Sequence, residues 1–525
     1  MATVPPNLTA RLVATGNAAN LPSALSNARS LAASTFTTLA EMTPAAVTQP
    51  HLGSAGKISA THIAFLYELR HDILNPMDRV SEVGSDPGWQ QSKSRRRIDS
   101  TFWLVAVAAL AFIFKVSIAL NTLGTNDVTS FHRFAKALTE HGVEWTYTHN
   151  ISFNHPPLTA YFLRAIYYLE QQPFLRQNGI TFPFLLRLPG IIADLVVVLI
   201  FLNLGRREPR LRLPAWALAV MAISPVSLMI SGFHGNTDPV MVMFLFIASV
   251  MLFREKPALC GLFLALSCQI KIIPLLLFPI FFFFWLSRGA VVSFLLPFAL
   301  SSVVLWSEAL LKFPMFFIKN VFSYGGLYGV WGITYWLRLT GWSSFGTVSD
   351  ESLTPSQRIV GLVLKAFIVA CVFLLAWRRR KLDADGAVRS IGYAWIIFFI
   401  FSPAVAPQYM VWLMPFLVLL SPPLFAYLTL ASSLFLFFFY NINSDAFPWY
   451  FVLSKYRPNS DWVLWSLWPW AILIAGIIVL WKGAVRSESS LSLFSFEPIL
   501  VKPVSHAPQE TVTSLRSSTE SAEVS

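Results

Sequence analysis

The residues of this sequence that could do chemistry follow or interrupt long apolar segments. Asp127 lies seven residues beyond the apolar segment 101–120. A carboxylate at such a place can act as a general base toward a hydroxyl group. The alternative is structural, because Asn126 and Asp127 precede a helix-compatible stretch and aspartate is a favoured N-cap residue. Asp127 is therefore the candidate base, with helix capping as the competing interpretation.

The element Asn154-His155-Pro156-Pro157-Leu158 offers a second polar group. Its two prolines predict the first turn of a helix that continues through Leu158–Leu169. His155 could bind a phosphate or a sugar hydroxyl, or it could form a structural hydrogen bond that fixes the turn. The sequence leaves these two roles equally open.

A polar turn, His234-Gly235-Asn236-Thr237-Asp238, separates two apolar segments. Gly235 and Asn236 suit a tight turn, with His234 and Asp238 at its two ends. These two side chains could hydrogen-bond a substrate. They could also join Asp127 and His155 in a metal site, although the spacing follows no recognised metal motif.

Charged and polar residues also stand within or beside the apolar segments. A charge at the centre of a membrane helix costs about 2.5–3.5 kcal/mol, so such a residue usually faces a cavity or a partner. Lys271 and Arg187 could therefore face a phosphate, whereas Asp194 is expected to pair with Arg187 or Arg164. Gln408 and Tyr409 begin another segment, where an interfacial aromatic belt is the alternative interpretation.

Composition defines the class of protein that must position these groups. The sequence is 55% hydrophobic and only 13% charged, with 45 phenylalanines. A soluble domain of 525 residues needs more charge to cover its surface. The chain is thus predicted to be an all-α polytopic membrane protein. Its three cysteines lie in or beside apolar segments, so they imply no disulfide framework.

Twelve apolar segments could cross the membrane, and an even number places both termini on one side. Every basic cluster then falls on the same face, which the positive-inside rule makes cytoplasmic. The net charge of +12 thereby reflects topology and anionic lipid, with no nucleic-acid partner expected. The segments are 101–120, 183–204, 213–231, 238–253, 257–270, 272–286, 289–306, 358–377, 388–403, 408–420, 423–440 and 461–481.

Three regions follow from this topology. Residues 1–98 are predicted to be a cytoplasmic, mostly disordered N-terminal region, 99–483 the transmembrane catalytic domain, and 484–525 a disordered cytoplasmic tail. The run 257–286 is interpreted as two short helices that meet near Lys271. The polar candidates then gather on the extracytoplasmic or luminal side.

The order and sidedness of these motifs resemble the GT-C superfamily of membrane glycosyltransferases. The segment Asn154–Tyr161 is similar to an element of dolichyl-phosphate-glucose glucosyltransferases and protein O-mannosyltransferases. The segments Gln269–Pro274 and Pro407–Trp412 resemble those of bacterial GT-C enzymes, including polyprenyl-phosphate mannosyltransferases. The acidic first loop with Asp127 and the turn His234–Pro239 also resemble features of GT-C enzymes. The resemblance covers roughly residues 100–480.

The resemblance implies an inverting transfer of a hexose, of the mannose or glucose class, from a polyprenyl- or dolichyl-phosphate donor. The acceptor would be a lipid-linked saccharide, a glycolipid or a protein, with Asp127 as the general base. Positive charge and hydrogen-bond donors around the leaving phosphate would come from Lys271, Arg187, Gln408 and Tyr409, with His155, His234 and Asp238 as further substrate-binding residues.

Asn126 and Val128 flank Asp127, where many GT-C loops carry a second acid. A metal-independent mechanism without cofactor is therefore favoured, with a divalent metal as the alternative. A bacterial inner membrane and an endoplasmic reticulum membrane both suit these features. A secondary transporter or a lipid flippase is the competing function, because broken helices and twelve spans also suit that class.

Overall fold

The computed structural model describes residues 87–150, 152–208, 212–322, 326–340, 353–444, 447–453 and 462–493. The chain divides into two units, Met1–Pro87 and Gly88–Ser525, and the description below concerns the second. Most of the predicted N-terminal region and the tail beyond residue 493 lie outside the described residues.

The first half of the described chain contains a short strand and eleven α-helices, with a π-helix and a 3-10 turn between some of them. In chain order these are α1 (Pro87–Asn121), β1 (Gly124–Thr125), α2 (Asn126–Glu140), α3 (Gly142–His149), α4 (Pro157–Glu170), α5 (Pro173–Gln177), α6 (Phe182–Arg207), α7 (Ala215–Ala222), α8 (Pro225–Ser227), the π-helix (Leu228–His234), α9 (Asp238–Phe253), α10 (Pro257–Ile270), the 3-10 turn (Ile273–Leu277) and α11 (Phe278–Ser287).

The second half is again helical, with a second two-residue strand. Its elements are α12 (Val291–Lys312), α13 (Pro314–Phe322), α14 (Gly332–Leu339), α15 (Pro355–Arg379), α16 (Ala384–Phe401), a 3-10 turn (Pro407–Tyr409), α17 (Met410–Leu420), α18 (Pro422–Ile442), β2 (Phe451–Val452), α19 (Trp462–Trp465) and α20 (Leu467–Leu493).

Helices in the described ranges confirm the predicted all-α polytopic architecture. Eight helical stretches in these ranges, one of them α7, α8 and the π-helix together, are long and apolar enough to cross a membrane, and four shorter apolar stretches of 10–17 residues accompany them. Together they coincide with the twelve predicted segments. Helix α1 begins at Pro87 and α20 continues to Leu493, so both helices extend beyond residues 99–483, and the division into three regions stays a prediction.

The apolar run 257–286 is broken at the predicted place. Helix α10 ends at Ile270, Lys271 has an extended backbone, and the next helical turn starts at Ile273. Pro274 at the start of that turn lacks an N–H group, so it cannot continue the hydrogen bonds of α10. The break leaves Lys271 in a buried position between two helices.

The polar region after the first apolar helix contains four helices, α2 to α5, where the sequence predicted a long loop with two helix-compatible stretches. Helix α2 is amphipathic, and its buried residues Val128, Phe131, Ala135 and Leu138 recur at helical spacing. They form a separate hydrophobic core with residues of α4, α6, α12 and α13. This core fixes the first turn of α2, where Asp127 lies.

Two backbone segments far apart in sequence meet beside α2. Strand β1 pairs in parallel with β2, with Gly124 opposite Phe451 and Thr125 opposite Val452. The N–H groups of Leu123 and Gly124 also donate to the carbonyl of Tyr450. The segment before Asp127 is therefore held by the segment after α18.

The partner of Asp194 differs from the prediction. Its carboxylate Oδ2 lies 2.7 Å from Lys115 Nζ, whereas Arg187 and Arg164 were the expected partners. Lys115 is buried in α1 and needs an anion at its own depth, because an unpaired charge inside a membrane protein is costly. Sequence spacing gave no information on the relative depth of α1 and α6.

Candidate active site

Asp127 lies in the first turn of α2, and the helix is capped by a different residue. Thr125 is the N-cap, and its hydroxyl accepts from the Asp127 backbone N–H at 3.2 Å. The capping alternative for Asp127 is therefore wrong. The carboxylate is free for other contacts, and the N-terminal end of a helix favours its negative charge.

Two side chains from distant helices contact this carboxylate. His234 Nε2 lies 3.0 Å from Asp127 Oδ2, and the amide of Gln408 donates to the same oxygen at 3.5 Å. The Asp127 side chain remains 35% exposed. In the described part of the chain both contacts go to Oδ2, so Oδ1 is left for an incoming hydroxyl group.

His234 is itself held on its other nitrogen. Its Nδ1 lies 2.7 Å from the hydroxyl of Tyr440, at the end of α18. With Tyr440 as the donor to Nδ1, Nε2 carries the proton and donates it to Asp127. Tyr440, His234 and Asp127 thus form a chain of hydrogen bonds that ends on the carboxylate.

These neighbours keep Asp127 ionised. Burial alone would raise the pKa of the Asp127 carboxyl. The hydrogen bond and electrostatic attraction from His234, together with the charge of Lys271, outweigh that effect, and the pKa of Asp127 lies below its usual value of 3.8. Asp127 is therefore a carboxylate at neutral pH, the protonation state that a general base requires.

Lys271 lies beside a second carboxylate. Its Nζ is 2.5 Å from Asp238 Oδ1, and the side chain of Asp238 is fully buried. The Tyr409 and Trp412 rings lie 5.4 and 5.8 Å from the same ammonium group and stack on each other at 3.9 Å. The charge of Lys271 is thus stabilised on one side by an acid and on another by aromatic faces.

A small cleft, with a cavity volume of about 10 Å³, opens next to Lys271. It is lined by Asn154, His155, Lys271, Ile272 and Ile273. Within the described ranges, Nδ1 of His155 is buried and has no hydrogen-bond partner. A cation, an uncommitted imidazole nitrogen and an asparagine are suitable groups for a phosphate or a sugar hydroxyl.

The backbone around His155 is fixed as the prolines predicted. Helix α4 begins at Pro157, and the Tyr147 hydroxyl donates to the His155 carbonyl at 2.5 Å. The Thr159 hydroxyl donates to the carbonyl of Ile270 at 3.1 Å. The last contact joins the start of α4 to the end of α10, which brings His155 and Lys271 to one pocket.

The pH dependence of stability provides a test of the His155 environment. Burial, and then the charge of Lys271, lowers the pKa of His155 from 6.5 to about 3. The unfolded chain therefore binds a proton between these values that the folded protein does not bind. The contribution of His155 to the free energy of unfolding is then fully present above pH 6.5. It decreases toward pH 3, by at most about 1.4 kcal/mol per pH unit for one proton.

We expect the thermal unfolding midpoint of His155→Gln to decrease less with falling pH than the midpoint of the parent protein does. The measurement is the thermal unfolding midpoint in detergent between pH 7 and pH 4.5, with His141→Gln at an exposed histidine as the control. Equal slopes for the parent protein and His155→Gln would contradict the buried, neutral imidazole.

Arg187 is directed into the protein. Its guanidinium donates to the backbone carbonyls of Pro183, Gly232, Phe233, Ala119 and Thr122, and to the hydroxyl of Thr122. All three guanidinium nitrogens take part, and the side chain is buried. The phosphate contact of Arg187 stays a prediction, and this geometry favours a structural role.

The turn after His234 approaches α2 closely. Gly235 has a φ of +83°, and a Cβ atom there would lie 2.3 Å from Cγ2 of Val128. Gly124 has a φ of +94°, and its Cβ would lie 2.6 Å from the carbonyl oxygen of Phe233. Glycine is required at both places, because L side chains rarely adopt this backbone and would collide. The close contact sets the distance between Asp127 and His234.

Sequence reasoning missed Tyr440. It stands at the end of an apolar helix, where a tyrosine usually belongs to the interfacial belt. Asn441, Asn443 and Ser444 follow it and indicate the end of the helix, but nothing local indicates a partner more than two hundred residues earlier. Two histidines of the first polar region have partners outside the site. His132 pairs with Glu170 at 3.2 Å, and His149 stacks on Trp145.

The alternative metal site is not assembled. Among the described residues, no three histidine, cysteine, aspartate or glutamate side chains are grouped so that they could hold a metal ion. Asp238 instead pairs with Lys271, and His234 bonds Tyr440 and Asp127.

Comparison of the sequence with models of known families indicates a class of protein. Residues 338–458 match the family model of the MptB C-terminal domain. The match supports a membrane glycosyltransferase of the GT-C type in general, and it covers less than a quarter of the chain. No curated protein sequence matches the chain significantly. Gln408, Tyr409 and Tyr440 lie inside the matched segment, whereas Asp127 and His234 precede it.

Proposed function

We propose that this protein is an integral-membrane hexosyltransferase that uses a polyprenyl- or dolichyl-phosphate sugar. Asp127 is the general base, the active site faces the extracytoplasmic or luminal side, and the acceptor is a lipid-linked saccharide, a glycolipid or a protein. The observation that supports this most is the Asp127 carboxylate, held through Oδ2 by His234 and Gln408 and open at Oδ1.

The proposed reaction is a single displacement at the anomeric carbon. The acceptor hydroxyl approaches Oδ1 of Asp127, which takes its proton as the oxygen bonds to the anomeric carbon. The bond from that carbon to the donor phosphate oxygen breaks on the opposite face, and the bonding electrons leave with the lipid phosphate. One displacement of this kind inverts the configuration at the anomeric carbon.

The leaving phosphate needs nearby positive charge. Lys271 supplies an ammonium group at the wall of the pocket, and His155 supplies a neutral imidazole that can donate or accept a hydrogen bond. Charge that develops on the phosphate is strongly stabilised by such groups in a partly buried site. Tyr409 and Trp412 keep the ammonium group oriented by cation–π contact.

His234 and Gln408 have supporting roles in this mechanism. They hold one carboxylate oxygen, so the other points at the acceptor hydroxyl in a fixed direction. His234 also disperses the charge of Asp127 through Tyr440. Asp238 balances the charge of Lys271 when no phosphate is bound.

The test is transfer by the purified protein in lipid vesicles. A panel of polyprenyl-phosphate hexoses is supplied with glycolipid, lipid-linked saccharide and peptide acceptors, and products are followed by mass spectrometry. Glycosylated acceptor with inverted anomeric configuration is expected for one donor. Movement of the donor between leaflets without a new glycosidic bond would instead identify a flippase, and retention of configuration would exclude the single displacement.

A further inference from the structure

His234 is the last residue of a π-helix that runs from Leu228 to His234. A π-helix has wider turns than an α-helix, forms less readily, and often occurs at functional sites. Within it, Ile230, Ser231, Gly232, Phe233 and His234 are buried. The surrounding protein must stabilise this unusual turn, and polar contacts occur at both of its ends.

The start of the π-helix is bonded inside the helix bundle. Ser227, the residue before it, donates to Asp194 Oδ2 and receives a hydrogen bond from Lys115 Nζ, both at 2.5 Å. Lys115 and Asp194 also contact each other directly at 2.7 Å. These three residues join α1, α6 and α8 at one point within the apolar segments.

The end of the π-helix is bonded by a second group of contacts. Nη1 of Arg187 donates to the carbonyls of Gly232 and Phe233 at 3.2 and 3.1 Å. The Thr125 hydroxyl donates to the carbonyl of His234 at 2.9 Å. Thr125 is also the N-cap of the helix that carries Asp127. The Thr125 hydroxyl therefore links the backbone of Asp127 to the backbone of His234.

We propose that Ser227 and Arg187 are positioning residues, which hold the π-helix so that His234 stays bonded to Asp127. The proposal rests on the proposed function only for its catalytic consequence. An ion pair such as Lys115–Asp194 is expensive inside a membrane protein and contributes little net stability on its own. Because both members of this ion pair contact Ser227, the pair holds the first end of the π-helix in place.

Two serines of the same segment provide a matched pair of variants. Ser227→Ala removes the hydroxyl that contacts Lys115 and Asp194, while those two residues remain paired. Ser231→Ala removes a buried hydroxyl that makes no hydrogen bond within the described residues. Both changes delete one side-chain oxygen, so the two variants match in the volume removed and differ in the hydrogen bonds lost.

The first measurement needs no sugar donor. Diethyl pyrocarbonate reacts with free imidazole nitrogens, and both nitrogens of His234 are hydrogen-bonded. In Ser227→Ala we expect the labelling rate of His234, followed by peptide mass spectrometry, to rise about tenfold because the segment opens more often. Ser231→Ala should label like the parent protein, and Arg187→Lys, which cannot keep the forked contacts, should label faster.

The second measurement is the pH profile of transfer. The His234 bond lowers the pKa of Asp127, so a loosened His234 lets this pKa rise. The acidic limb of the kcat profile should therefore move to higher pH in Ser227→Ala and stay unchanged in Ser231→Ala.

Equal labelling of His234 in Ser227→Ala and Ser231→Ala would overturn the proposal, whether or not transfer is detected. Failure of the parent protein to transfer any sugar would remove the proposed function instead, and the labelling contrast would still decide the role of Ser227.

Discussion

Replacing Asp127 by asparagine is expected to lower kcat for sugar transfer by about 10²–10⁴-fold, the usual contribution of a general base. Asparagine keeps the size of the side chain and can still contact His234 or Gln408, but it cannot take a proton from the acceptor. Thermal stability and donor binding should stay close to those of the parent protein. The measurement is steady-state transfer in vesicles together with binding of the lipid-phosphate sugar.

The chain offers a control of the same chemical type. Glu170 pairs with His132 at 3.2 Å on helices α4 and α2, as Asp127 pairs with His234. Glu170→Gln removes an acid–histidine pair without changing the carboxylate proposed to act as base, so transfer should remain within a few-fold of normal. Equal losses in Asp127→Asn and Glu170→Gln, or undiminished transfer by Asp127→Asn, would refute the base assignment.

Lys271→Met is the second change with a large expected effect. It removes the ammonium group proposed to face the donor phosphate, and it leaves the fully buried Asp238 carboxylate without its partner. Breaking a buried ion pair on one side costs about 3–5 kcal/mol of stability. We therefore expect a lower unfolding temperature together with loss of transfer.

A double variant separates these two effects. In Lys271→Met with Asp238→Leu no buried charge is left unpaired, and apolar replacement of a buried pair is often neutral for stability. The unfolding temperature should return toward that of the parent protein while transfer stays low. Restored transfer in the double variant would mean that Lys271 serves only to neutralise Asp238.

The helices were predictable because lipid imposes a simple rule on sequence. A segment that crosses hydrocarbon must form all its backbone hydrogen bonds within itself, so it must be a long apolar helix. The apolar runs of the sequence therefore located these helices. The break at Lys271 was predictable for the same reason, since a charge and Pro274 interrupt an otherwise uniform run. The helices of the first polar region were only partly predictable, because α3 and α5 are short and lack a strong apolar period.

The site could be predicted residue by residue but not as a set of contacts. Asp127, His234 and Gln408 each stood out as polar groups next to apolar segments, and the structure brings them together. Arg187 and Asp194 were expected to be close, yet each takes a different partner. Those choices depend on the depth and rotation of neighbouring helices, which tertiary packing decides and local sequence does not encode.

The contact between Asp127 and Gln408 joins two parts of the chain, only one of which matches a family model. The carboxylate and its histidine belong to the first half of the chain, whereas Gln408 and Tyr440 belong to the segment that matches a known family. A gene fragment encoding only that segment would match the family model but lack the proposed base, Asp127. Recombination between relatives would likewise preserve the contacts of the proposed base only if the exchanged C-terminal part placed an amide and a phenol at the positions of Gln408 and Tyr440.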